Sequence, residues 1–231
     1  MIFDGLLSLP QCLTLLPYRN TLRSYYDFQM RGIFWKALWR EQKKRIRRVR
    51  LASIDSTGFE SHHVSQHFLH RKSQSGCPVF ARFHAKLAVT CDCSTHLILA
   101  IGTSRGPFPD SGGIQALMKN QITKVDTLLA DAGFDSEDNH QFLGTTCGVP
   151  SIIPPRIGRP TLKPPTGYYR RQMRAYFKRY GSTTYGQRWQ VETVFSMIKR
   201  NFGSSLSARS THGRYRELAL RAICHNVAIN A

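Results

Sequence analysis

Three carboxylates stand out by their position in the chain. Asp55 and Asp131 each close a short apolar run, LASID at 51–55 and VDTLLAD at 125–131. Glu192 is the single acid between residues 139 and 216, a span that holds fourteen Lys and Arg. Magnesium binds through a few carboxylates plus water and phosphate oxygens, and two such ions about 4 Å apart stabilise the attacking and leaving oxygens of a phosphoryl transfer. Two strand-end aspartates and one helix glutamate form a set able to hold such ions, provided the fold gathers them. Asp135 and Ser136 fall just before EDNHQFL, so one of them reads as a helix N-cap rather than as a ligand.

The surroundings of Glu192 are informative in themselves. In residues 185–202, YGQRWQVETVFSMIKRNF, the apolar side chains Val191, Val194, Phe195, Ile198 and Phe202 recur at helical spacing. On one continuous helix, at about 100° per residue, Tyr185, Arg188, Glu192 and Lys199 fall at roughly 0°, 300°, 340° and 320°, a polar stripe beside the apolar face. From Tyr185 to Lys199 is roughly 21 Å at about 1.5 Å per residue, the span of several phosphates of a nucleic-acid strand. An ordinary amphipathic surface helix with a solvated face, or a structural ion pair around Glu192, accounts for the same pattern. The rest of the chain has to decide.

Composition narrows the partners. A formal charge of +19 and a pI near 10.2 point to a polyanion. No stretch approaches eighteen uninterrupted apolar residues, and the apolar start LLSLPQCLTLLP is broken by Pro10 without a basic flank, so nucleic acid is expected and a membrane is not. The expectation is a cytoplasmic, nucleoid-associated protein. Six cysteines at irregular spacing argue for free thiols, and Cys77, Cys91, Cys93 and His96 lack the paired CxxC of a zinc site, with Cys91 and Cys93 read as part of a turn. His62, His63, His67 and His70 read as solvated or phosphate-facing.

The elements that must position these residues follow in order. Residues 1–49 form a short, basic helical segment: two helices meeting at Gly32, then six cations in 43–50, an abbreviated DNA-binding region. Residues 50–231 form the main domain. LASID is a strand followed by a loop at Ser56, Thr57 and Gly58; KLAVTCD and HLILAIG form a hairpin; a helix spans 114–122; VDTLLA is a strand, EDNHQFL a helix and VPSIIPPR a last short strand. Strands joined through helices pair in parallel, so the expected fold class is α/β, a mixed sheet flanked by helices, with Asp55 and Asp131 at the carboxyl edge where sites form. Residues 156–185 are Pro-rich and then basic with interleaved tyrosines, suited either to tracking a phosphate backbone or to a solvated linker.

At this point the sequence resembles the DDE transposases of bacterial insertion sequences that carry a Tyr-x2-Arg-x3-Glu-x6-Lys signature. Tyr185, Arg188, Glu192 and Lys199 match that spacing, and IDSTGF at 54–59 and LLADAGFDS at 128–136 look like the segments of the first and second aspartates. SIIPPR and the tail RELALRAICHNVAIN extend the resemblance over roughly residues 50–230. It implies a ribonuclease-H-like core, with Asp55, Asp131 and Glu192 as catalytic metal ligands and Tyr185, Arg188 and Lys199 on phosphates near the cleaved end. It further implies two Mg2+ ions, with Mn2+ as substitute, double-stranded DNA as terminal repeat and target, and a homodimer in the DNA complex. Two other readings stand beside it: a catalytically silent DNA-binding remnant, and a resolvase-like nuclease without strand joining.

Overall fold

The computed structural model describes residues 48–61, 84–106, 113–121, 123–155 and 166–230. The expected N-terminal helix pair, the histidines at 62–70, Cys77 and the Pro-rich stretch after Arg156 lie outside these residues.

Strand β1 (Val49–Ser61) is the axis of the sheet. On one side it pairs antiparallel with β2 (Ala85–Asp92), which pairs antiparallel with β3 (Ile98–Arg105). On the other side it pairs parallel with β4 (Val125–Ala130), and β4 with the short β5 (Ser151–Ile152). The order β3-β2-β1-β4-β5 is the mixed sheet expected from the hairpin and the helix-linked strands. A two-residue β6 (Ser205–Leu206), which nothing in its sequence announced, adds to the far end of β1.

β1 is longer than its apolar run. Ser56, Thr57 and Gly58, expected in a loop, continue the ladder opposite Ala88, Leu87 and Lys86, because the buried Phe59 opposite Ala85 extends the alternation beyond the polar residues. Gly58 has a role in this: a Cβ there would come within 2.7 Å of the His84 ring.

Helices cover both faces. Helix α1 (Gly113–Lys119) buries Ile114 and Leu117 with Ile54, Leu128 and Ala130 on one side. Helix α2 (Glu137–Gln141), capped by Ser136 through the Asn139 N–H and continued by a π-turn to Cys147, adds Leu143 to the same layer. Ser136 is therefore the cap, not Asp135. On the opposite face, helix α4 (Gln190–Phe202) buries Val191, Val194, Phe195, Ile198 and Phe202, the five residues that its periodicity nominated. They meet Phe59, Leu87, Val89 and Cys91 of the sheet, and Leu218, Ala222 and Cys224 of helix α5 (Thr211–Asn230). Arg221 and Glu217 form a buried pair at 2.7 Å, and Arg221 also donates to the Gly203 and Ser205 carbonyls, fixing the connection that carries β6.

Helix α3 (Tyr168–Tyr185) precedes α4, separated from it by a 3-10 turn at Gly186–Trp189. From residue 168 onward the basic stretch is eighteen residues of helix rather than a linker. Among the described residues no helix is long and apolar enough to cross a membrane.

His225, on α5, is buried and donates from Nε2 to the His96 carbonyl at 3.0 Å. Burial holds its pKa below the ordinary histidine value, opposed in part by that hydrogen bond and reinforced by His96. Between the depressed folded value and the unfolded value near 6.5, the unfolded chain binds more protons, so stability falls as the pH drops through this window. Urea denaturation at stepped pH is expected to show that His225→Gln flattens this acid-side loss, while the parent becomes progressively weaker below about pH 6.5.

Candidate active site

The two aspartates are brought together by register. β1 and β4 run parallel with Ile54 opposite Ala130, so the next residues, Asp55 and Asp131, lie side by side where β4 ends. Neighbouring strands are about 4.8 Å apart, which sets the scale of the juxtaposition. Asp131 stands at the start of a 3-10 turn (Ala132–Phe134), exposed, with no side-chain cap hydrogen bond. Asp55 is half-buried and accepts from the Ser56 N–H at 2.7 Å.

Alternate residues of β1 share one face, and on it each odd position meets a different part of the helical layer. Leu51 packs against the small cluster of Cys93, Leu129 and Ile152 that Phe177 and Tyr185 also cover. The Ser53 hydroxyl donates to the Arg188 carbonyl at 3.1 Å. Asp55 accepts from the Arg188 guanidinium at 3.2 Å, Thr57 accepts from Lys199 Nζ at 2.7 Å, and the Phe59 ring lies 5.3 Å below the same ammonium. Arg188 also reaches Glu192 at 2.6 Å, so a single guanidinium bridges a sheet aspartate and the helix glutamate.

The polar stripe thus converges, though not as a stripe on one helix. Tyr185 ends α3 and Arg188 belongs to the 3-10 turn; only Glu192 and Lys199 lie on α4. The tighter turn changes the phase assumed for a continuous helix. Tyr185 is held edge-on against Phe177, with ring centroids 5.3 Å apart. Burial pushes its phenol up, Arg188 pulls it down, and Asp131 and Asp55 push it up again, which places the phenol within reach of both acids' fields.

Asp55 carries the electrostatic signature of this convergence. Burial raises its pKa first of all; the Ser56 N–H and Arg188 oppose this, and the charges of Asp131 and Glu192 add to it. In front of these groups opens a cleft of ≈ 610 Å³ lined by Asp55, Thr57, Glu192, Ser196, Lys199 and Arg200, among others. Among the described residues no three His, Cys, Asp or Glu side chains are gathered closely enough to ligate an ion. At Asp55 and Glu192 the Arg188 guanidinium stands where a cation's charge is wanted. The donors nevertheless fit a hard cation: they are carboxylate oxygens, and Asp55, raised mainly by burial and further by the charges of Asp131 and Glu192, is a carboxylate whose charged form a divalent ion would favour. Cys91 and Cys93 do not. Cys91 lies within β2 rather than in a turn, and burial pushes Cys93 up to about 12.

Sequence reasoning missed the docking of α3. Asp135, nearly inaccessible, accepts from Arg170 at 2.6 Å and meets His140 Nε2 at 2.9 Å. Glu137 accepts the Tyr169 and Arg170 N–H groups at 2.9 and 3.0 Å, capping α3 from outside the helix. A Cβ at Gly167 would collide with that carboxylate. Arg170, within the stretch read as a phosphate track or a solvated linker, is instead an anchor. The signal was an Asp before a helix already capped by Ser136, leaving its carboxylate to be satisfied elsewhere.

A mixed sheet flanked by helices, with two acids adjacent at the end of β4 and a glutamate on the facing helix, is the α/β arrangement expected from the sequence. The sequence model of the Transposase DDE domain family matches residues 35–227, and the chain belongs to that family. Among solved structures, the chain is similar to a piggyBac transposase synaptic complex with hairpin DNA, at 12% identity and a TM-score of 0.49, over 91% of this chain and 53% of that one. The chain thus spans about half the length of that transposase. No curated protein matches it.

Removing Arg170 leaves a buried carboxylate without its main partner, a change that typically costs about 3 kcal/mol or more. Arg170→Ala is expected to lose about that much unfolding free energy, and Arg170→Ala with Asp135→Asn to recover most of it. Additive losses in the double variant, measured by chemical denaturation, would show that the two residues do not act as a pair.

Proposed function

We propose that the chain is a DDE transposase of the insertion-sequence kind with the Tyr-x2-Arg-x3-Glu-x6-Lys signature, which cuts DNA at the element ends and joins the freed 3′-OH to target DNA. The observation that carries this reading is the adjacency of Asp55 and Asp131 with Arg188 linking Asp55 to Glu192, where Asp55 and Glu192 line a cleft together with Lys199 and Arg200. Family membership supports it.

In this reading Asp55, Asp131 and Glu192 hold divalent ions, magnesium by preference with manganese as substitute. Such ions supply charge stabilisation to the attacking and leaving oxygens of an in-line displacement. The rest falls to the chain. Lys199, steadied between Thr57 and the Phe59 ring, presents its ammonium to a phosphate of the bound strand. Arg188 offers a planar fork of donors to a second phosphate, and the Tyr185 hydroxyl sits beside it. Two reactions share the one site: water opens the phosphodiester to leave a 3′-OH, and that hydroxyl then attacks a target phosphodiester and expels a new 3′-oxygen. Two copies holding two ends, and residence with the nucleoid in the cytoplasm, belong to the same proposal.

The test is incubation of the protein with Mg2+ and DNA bearing the element's flanking repeats. Asp55→Ala, Asp131→Ala and Glu192→Ala are each expected to abolish cleavage while leaving DNA binding largely intact, because the acids hold ions rather than DNA. Cleavage by Glu192→Ala would overturn the assignment of the three acids, and none by the parent would turn the reading toward a silent remnant.

Position at the reacting bond separates Lys199 from ordinary surface charge. On saturating DNA, Lys199→Ala is expected to slow cleavage by about a hundredfold, the cost of a misplaced phosphate, while Lys119→Ala leaves the rate unchanged. Equal rates for the two variants would make Lys199 one more surface cation.

A further inference from the structure

Helix α3 has two faces of different kinds. At about 100° per residue, Tyr169, Met173, Phe177 and Arg170 fall on one side, and these are the residues that the structure part-buries, with Phe177 against Leu129 and Ile152. Arg171, Arg174 and Lys178 fall together on the other side, all exposed. The exposed Tyr168, at 58% of full accessibility, borders this face at the start of the helix.

This outward face is electrostatically one-sided. Helix α3 contains no acidic residue, and Arg171, Arg174 and Lys178 have no ion-pair partner among the described residues. Their spacings are i, i+3 and i+4, at which like charges repel. Arg171 also sits in the first turn, where the helix dipole disfavours a cation. Arg170, one residue away, is turned inward and neutralised by Asp135. The anchoring of α3 therefore fixes which cations remain outside, and the fold holds them in a row without offsetting them.

We infer that the outer face of α3 is a docking surface for the backbone of double-stranded DNA, continuing the track that passes the acids. Continuity with the cleft supports this occupant: α3 ends at Tyr185, and the single 3-10 turn that follows delivers Arg188 to Asp55. A straight helix of eighteen residues is about 27 Å long, which matches about eight base pairs of duplex at about 3.4 Å each. Three cations in line suit one stiff phosphate row, and the exposed Tyr168 hydroxyl beside them can donate to a phosphate or sugar oxygen. This inference rests on the reading of the chain as acting on DNA.

The experiment is fluorescence anisotropy of the full chain with an unrelated duplex of about 30 base pairs, titrated from about 50 to 200 mM salt. Parent affinity is expected to fall about a thousandfold or more over that range, as for six to ten phosphate contacts. R174A/K178A is expected to lower the slope of log affinity against log salt by about 2, since each phosphate contact contributes about 0.9. K119A/K124A, an equal change of charge beyond the other end of β4, is expected to leave the slope unchanged. R174K/K178R, which keeps both charges, binds as the parent does. Alanine preserves helix propensity, and R174Q/K178Q supplies a second uncharged pair. A parent with a nearly flat salt dependence would remove the DNA reading altogether. A steep parent with equal losses in R174A/K178A and K119A/K124A, or with none in R174A/K178A, would overturn the α3 surface alone. Tighter binding of a single strand than of the duplex, with the same loss in R174A/K178A, would overturn the choice of duplex.

Discussion

The guanidinium of Arg188 joins the sheet to the helical layer. It stands between Asp55 and Glu192, while its own backbone carbonyl accepts from Ser53, so one residue is fastened to β1 at two successive positions of the same face. The alternation of β1 makes this attachment precise. A slip of one residue would turn Ser53, Asp55 and Thr57 toward Ile114 and Leu128, where no donor or acceptor awaits them. The buried Phe59 and Ile54, on opposite faces, hold the register against such a slip. The site is thus specified by the same hydrophobic pattern that specifies the sheet.

Two cores divide that labour. Ile54, Leu128 and Ala130 fix the depth of the parallel pair and thereby the meeting of Asp55 with Asp131. Leu87, Val89 and Cys91 receive Val194 and Ile198 and thereby set how far Glu192 and Lys199 stand from the strand. The acids meet where the two layers come together, and the carboxyl of Asp55 is raised there, by burial first and then by the charges of Asp131 and Glu192. Acidic groups gathered in this way are held at some cost in stability, offset by packing elsewhere.

Local pattern made much of this legible. The five apolar residues of α4, the β2–β3 hairpin and the apolar run of β4 all follow from periodicity within a dozen residues, and the structure has them where that pattern puts them. Less legible were features settled by distant partners. The polar run at Ser56, Thr57 and Gly58 reads as a loop until β2 is known to lie opposite. Tyr185 and Arg188 look like members of one helix until the 3-10 turn divides them. Arg170 looks like one cation among many, since nothing within the basic stretch points to Asp135 thirty-five residues earlier. The adjacency of Asp55 and Asp131 needed the topology rule for strands linked through helices, and the bridge through Arg188 needed coordinates.

The side chain of Asn226 extends the logic of pairing to the margin of the sheet. β3 is an outermost strand of the sheet path, and at its first residue Asn226 accepts from the Ile98 N–H and donates to the Ile98 carbonyl, both at 2.8 Å. A carboxamide in that position copies the hydrogen-bonding edge of a peptide unit. The rim is thereby closed from within at the point where an incoming strand would first register. A chain so rich in cations is kept apart from its copies by charge in dilute salt, but not where nucleic acid neutralises that charge and crowds the copies together. At Ile98 the backbone groups that such an edge would offer to another strand are already taken by the amide of Asn226.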